Sequence, residues 1–128
     1  MIGALLYLVT CTRPDLAFVI SFLSQFSSCP LKSHHTAVKH VFRYISGTKS
    51  FTLKYFQCSN TSASPFSLHG YSDVDFANCL DTHRSFSSYY FMLGDAIISW
   101  WTQKQQSVAI STTEAEYMAL SLTSRQAV

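Results

Sequence analysis

Two short acidic motifs carry the residues best suited to chemistry. Tyr71-Ser72-Asp73-Val74-Asp75-Phe76 ends an extended pattern, and Thr112-Thr113-Glu114-Ala115-Glu116-Tyr117 opens a helical one. Cleaving a phosphodiester with two metal ions requires carboxylates from separate elements to converge on ions about 3.5–4 Å apart. Hard oxygen ligands of this kind select magnesium or manganese. Asp73 and Asp75 point to the same side of an extended segment. Glu116 joins Asp73 if the helix N-terminus packs over that strand. The same residues also have plainer uses. An Asp-x-Asp pair at a strand end serves turns, and Glu116, three residues after Thr113, fits a capping box or complements the helix dipole.

Other candidates are weaker. His34, His35 and His40 share one helical segment but lack an evident fourth zinc ligand. Lys39 and Arg43 are one helical turn apart and suit phosphate oxygens, or simply a solvated face. Trp100-Trp101 offers stacking surface for bases, although a hairpin core is the commoner fate of such residues. No Ser, Cys and His arrangement has the spacing of a nucleophilic triad. The four glycines, at positions 3, 47, 70 and 94, form no phosphate-cradling loop.

The charge distribution fits a phosphate surface beside a cation site. Through Phe66 there are six Lys and Arg against Asp15 alone, a balance of +5; from Ser67 onward the balance is −3. Only 12% of the 128 residues are charged, about half the usual share, while 48% are hydrophobic. The chain can therefore build a core but leaves a charge-poor surface that suits a partner. Cys11, Cys29, Cys58 and Cys79 are widely spaced with no C-x-x-C pair, which argues for free thiols. Ile2 to Cys11 is apolar without a basic leader and too short to cross a bilayer. The expected setting is intracellular, cytoplasmic or nuclear, with no membrane partner.

The elements that must position these residues follow from periodicity. Ile2 to Val9 is a helix or a buried strand. Thr12-Arg13-Pro14-Asp15 reads as a helix start with Thr12 as cap, followed by Leu16, Val19, Ile20, Leu23 and Phe26 at helical spacing. A second helix begins at Ser33, carries Ala37, Val38, Val41, Phe42 and Ile45 as its apolar stripe, and ends at Gly47. Phe51 to Phe56 alternates as a strand. Cys58 to Pro65 is small, polar and without periodicity, a linker. Beyond it, Phe66–Phe76, Ser88–Leu93 and Ala96–Thr102 read as strands, with a tight turn at Gly94-Asp95. A final helix runs from Thr113 through Met118, Leu120 and Leu122. Three strands followed by a helix predict an α+β fold.

In this order, Ile2-Gly3-Ala4-Leu5-Leu6-Tyr7-Leu8, Thr12-Arg13-Pro14-Asp15-Leu16-Ala17-Phe18, Leu23-Ser24-Gln25-Phe26 and Tyr44-Ile45-Ser46-Gly47-Thr48 are followed by Gly70-Tyr71-Ser72-Asp73, Arg84-Ser85, Ile98-Ser99-Trp100 and Ser111-Thr112-Thr113-Glu114-Ala115-Glu116-Tyr117. This ordered set resembles the polyprotein of copia-type LTR retrotransposons over nearly the whole chain. The resemblance implies three segments: 1–57 as a helical, thumb- or connection-like tail of reverse transcriptase, 58–66 as a linker, and 67–128 as the opening β-β-β-α unit of a truncated ribonuclease H-like domain. It assigns Asp73 and Glu116 as the first two metal-binding catalytic carboxylates, with Mg2+ or Mn2+ as cofactor where the site is competent. It gives Asp75 no role and makes Glu114 a flanking residue.

The partners it implies are an RNA–DNA hybrid or other nucleic acid, held in part by Lys39 and Arg43, and the rest of the Pol polyprotein. No Tyr-x-Asp-Asp polymerase motif occurs, so polymerisation is not expected. In the family pattern two further Asp residues follow the first helix, beyond Val128. The expectation is therefore a fragment with an incomplete site and no activity of its own, or a non-catalytic nucleic-acid-binding or structural remnant of a transposable element. Phe76 stands where the family usually has Trp, and Ser88 where a Gly commonly precedes an aromatic.

Overall fold

Among the described residues, four α-helices and a three-stranded antiparallel sheet give a mixed α+β fold, as expected. The structure, a computed structural model, describes residues 1–55 and 67–128. It divides into two units, Met1–Leu53 and Lys54–Val128. The expected linker, 58–66, lies outside the described residues, as do Phe56 and Phe66 of the expected strands.

The first unit contains α1 (Ile2–Cys11), a 3-10 turn (Pro14–Leu16), α2 (Ala17–Ser24) and α3 (Lys32–Gly47). Its core joins Leu5 and Val9 of α1, Leu16, Ile20 and Leu23, and Val38 and Val41 of α3. The apolar stripes read from the sequence supply this core, except that Val19 and Phe42 are exposed. Ile2 to Val9 is settled as helix.

Several boundaries differ from expectation. Thr12 closes α1, with its hydroxyl donating to the Leu8 carbonyl, rather than capping the next helix. Helix α3 begins one residue before Ser33, and His34 Nδ1 accepts the Leu31 N–H at 3.2 Å at its start. Gly47 is the last helical residue rather than the residue beyond the end. Phe51–Tyr55 forms no strand.

Arg13 is the polar centre of this unit. It is only 6% exposed and holds Asp15 through two hydrogen bonds, at 2.9 and 2.7 Å. It also donates to Thr48 Oγ1 at 2.8 Å and lies over the Tyr44 and Phe51 rings. A buried guanidinium needs such a set of partners, because an unpaired buried charge is strongly destabilising.

The second unit contains β1 (Leu68–Asp75), β2 (Phe86–Leu93), β3 (Ala96–Lys104) and α4 (Thr112–Ala127), with strand order β1-β2-β3. Gly94 takes the left-handed conformation, φ 60°, which the short β2–β3 turn requires. Helix α4 packs on β1 and β2. Its buried stripe is Ala115, Ala119 and Thr123, small residues one turn apart that bring the helix close to the sheet. Met118 and Leu122 are half-buried and Leu120 is exposed, so the large apolar residues flank the contact rather than make it.

Candidate functional site

Strand pairing decides where the acidic residues stand. In the β1–β2 ladder Asp73 pairs with Ser88, Val74 with Ser87 and Gly70 with Phe91. Directly paired residues share a face of an antiparallel sheet, and successive residues alternate. One face therefore carries Gly70, Ser72, Val74, Ser87, Tyr89 and Phe91. The absence of a Cβ at Gly70 makes room on this face, since one built there would lie 2.6 Å from the Phe91 ring. The other face carries Tyr71, Asp73, Asp75, Ser88 and Tyr90. On it the Tyr71 and Tyr90 rings stack, centroids 4.7 Å apart, and both are exposed.

Helix α4 covers the first face. Gln105, just after β3, donates from Nε2 to Ser87 Oγ at 2.9 Å and to the Ala115 carbonyl at 3.1 Å. The first turn of α4 is thus fastened beside the Val74–Ser87 pair. Asp73 and Asp75 flank that pair on the opposite face, and Glu116 follows Ala115 in the fastened turn. Asp73 and Glu116 start from opposite sides of the β1–β2 pair and are both exposed. Among the described residues, no hydrogen-bond or ion-pair partner engages either carboxylate. Asp75, by contrast, accepts a hydrogen bond from Asn78 Nδ2.

The helix cap lies two residues upstream of the expected one. Ser111 Oγ accepts the Glu114 N–H at 3.1 Å, and Glu114 Oε2 accepts the Ile110 N–H at 2.6 Å. Ser111 is the N-cap, and the Glu114 carboxylate reaches back past it to Ile110. Thr113 and Glu116 take no part in the cap, and Glu116 is left with no local structural task. The signal was present as Ser-x-x-Glu one frame earlier in the same motif.

The carboxylates have the donor chemistry for a hard cation such as Mg2+ or Mn2+. Among the described residues, no three His, Cys, Asp or Glu side chains converge.

The other candidates separate. Lys39 and Arg43 are exposed on α3, which has no acidic residue, and Lys32 lies on the same stripe. Phe26 stacks on the His34 ring at 4.0 Å, and His34 also serves the start of α3. Trp100 is half-buried; Trp101 is exposed, with its indole N–H donating to Gln103 Oε1. Cys11, Cys29 and Cys79 are free thiols. Cys79 is buried and accepts hydrogen bonds from Thr82 Oγ1 at 3.0 Å and Lys104 Nζ at 3.1 Å. These donors, Thr82 first, lower its thiol pKa to about 7. Neither Cys79 nor Gln105 was singled out from sequence: Cys79 has one partner three residues away and another 25 away, and the side-chain partners of Gln105 lie 10 and 18 residues away.

No family model and no solved structure matches the chain. Curated proteins do. The chain is 38% identical over 127 residues to the retrovirus-related Pol polyprotein from transposon TNT 1-94 of Nicotiana tabacum, and 40% identical over 126 residues to that from transposon RE2 of Arabidopsis thaliana. It is also 44% identical over 127 residues to secreted RxLR effector protein 161 of Plasmopara viticola, spanning 86% of that protein. The chain belongs to the copia-type retrotransposon Pol family. Each Pol match takes in 98–99% of the chain but only 8–9% of the polyprotein. This is therefore a retrotransposon-derived Pol segment. Among the described residues, no helix is long and apolar enough to cross a membrane.

Proposed function

We propose that residues 67–128 are the β-β-β-α part of a ribonuclease H-like domain, and that the helical unit before them is a thumb- or connection-like part of reverse transcriptase. In this reading Asp73 and Glu116 are two carboxylates of a site that, when completed, cuts the RNA strand of an RNA–DNA hybrid with Mg2+ or Mn2+. The observation that carries it is that an uncommitted Asp on the first strand and an uncommitted Glu near the start of the helix packed on that strand stand on segments tied together through Gln105. Asp73 and Glu116 would hold the ion through their carboxylate oxygens, and the ion, when bound, would supply a polarised water and neutralise charge on the leaving oxygen. Gln105 and Ser111 fix the start of the helix that bears Glu116. Two carboxylates are a poor template for two ions, so in this reading cutting needs further carboxylates that complete the site. The test is hybrid cleavage by this chain in Mg2+ or Mn2+, beside Asp73→Asn. No cleavage is expected; robust cleavage that Asp73→Asn abolishes overturns the inactivity.

A second reading is a non-catalytic nucleic-acid-binding module or structural remnant. It is favoured by the exposed Lys32, Lys39 and Arg43 stripe on an acid-free helix. Backbone binding of this kind weakens steeply with salt. Hybrid affinity that is undetectable at low salt, or unchanged in Lys39→Ala/Arg43→Ala, excludes it.

A further inference from the structure

We infer that Gln105 is the positioning residue of the proposed site, clamping the turn that bears Glu116 to the strand pair that bears Asp73; the inference rests on the ribonuclease H-like reading above. Gln105 is 6% exposed, and its backbone N–H donates at 2.8 Å to the carbonyl of Ser85, the residue just before β2. Its side-chain amide has two N–H donors, and both leave from Nε2. One reaches Ser87 Oγ in the sheet and the other the Ala115 carbonyl in the helix. Ser87 pairs with Val74, the residue next to Asp73, and Ala115 is the residue next to Glu116. A single side chain thus spans the gap between the two carboxylate-bearing segments.

Packing alone does not account for an amide here. Gln105 Oε1 is buried with no hydrogen-bond partner. An unmet buried acceptor is costly, and an apolar side chain of equal length fills the same space without that cost. What the amide provides, and a hydrocarbon does not, is two directed donors that set the height and rotation of the helix start. Partners one shell out from metal ligands act in this way, by orienting the ligands.

The test uses the full chain and two readouts, amide hydrogen exchange along α4 and Mn2+ binding followed by the EPR signal of the free ion. Gln105→Met keeps length and removes both donors. Ser87→Ala removes the sheet-side acceptor with little change in volume. Thr123→Val is the control, because it deletes a buried hydrogen bond on the same helix two turns further on, from Thr123 Oγ1 to the Ala119 carbonyl.

Gln105→Met is expected to speed exchange in the first turn, at residues 115–119, relative to 122–127, and to weaken Mn2+ binding about tenfold. Ser87→Ala moves both readouts the same way, and Thr123→Val moves neither. Unchanged first-turn exchange in Gln105→Met and Ser87→Ala overturns the inference. So does a loss of Mn2+ affinity in Thr123→Val equal to that in Gln105→Met. If the wild type binds no Mn2+, the functional reading fails, and first-turn exchange alone still decides whether Gln105 is the clamp.

Discussion

Ser111 Oγ accepts the backbone N–H of Glu114 at 3.1 Å, and this contact sets the register of α4. It places the cap on the first Ser-x-x-Glu frame of the motif. The frame built on Thr113 leaves Glu116 serving the helix end, whereas the observed one releases it. Replacing a Ser cap by Ala costs about 1 kcal/mol. Ser111→Ala is expected to destabilise the second unit by that amount, and Thr113→Ala to change it by less than about 0.5 kcal/mol. Urea unfolding followed by tryptophan fluorescence measures this cleanly, because Trp100 and Trp101 both lie in β3. Equal losses in the two variants contradict the assigned cap.

The Arg13–Asp15 pair makes the first unit acid-sensitive. Arg13, and next the Tyr44 hydroxyl, hold the Asp15 carboxyl below its ordinary value of 3.8. A folded pKa below the unfolded one gives stability that is fully present above the unfolded value and lost as pH falls through the folded one. The helical unit should therefore be insensitive to this group above about pH 5 and weaken below about pH 4. Asp15→Asn should remove that acid dependence and cost roughly 1–3 kcal/mol at neutral pH, discounted for the partial exposure of Asp15. Far-UV circular dichroism against urea at several pH values reads both effects. An unaltered acid slope in the variant contradicts the assignment.

Cys79 should titrate near neutrality. Its thiol lies at about 7 against an ordinary 9.0, through Thr82 and then Lys104. The depressed folded pKa means that the stability it contributes is complete above about pH 9 and is lost as pH falls through 7. Thiolate absorbance near 240 nm should show one group with a midpoint near pH 7 that moves upward in Lys104→Met. A midpoint that stays in place shows that Lys104 does not stabilise the thiolate.

The elements whose signals are local were readable in the sequence. The α3 stripe needs only 3.6-residue periodicity, and the β2–β3 hairpin only a glycine able to adopt positive φ between two β-prone runs. The segment at Phe51 misled, because its alternation resembles a strand while its residues have separate uses: Phe51 lies under Arg13, and the Tyr55 hydroxyl donates to the Ile97 carbonyl. The buried face of α4 was hidden because it is made of Ala115, Ala119 and Thr123, which carry no hydrophobic signature. At the site, Asp73 and Glu116 were visible as motifs. Their placement on either side of the β1–β2 pair, and the Gln105 tie between them, depend on strand register and on partners distant in sequence, which no window of residues encodes.

The central claim is that Asp73 and Glu116 serve one cation site. Mn2+ affinity by EPR in the wild type, Asp73→Asn, Glu116→Gln, the double variant and Asp75→Asn tests it most directly. The account predicts weak binding that falls about tenfold or more in each of the first two variants. It predicts little further loss when they are combined, since residues acting as a unit are not additive, and near wild-type binding in Asp75→Asn. Binding that is indifferent to Asp73 and Glu116, or as sensitive to Asp75 as to either, contradicts it.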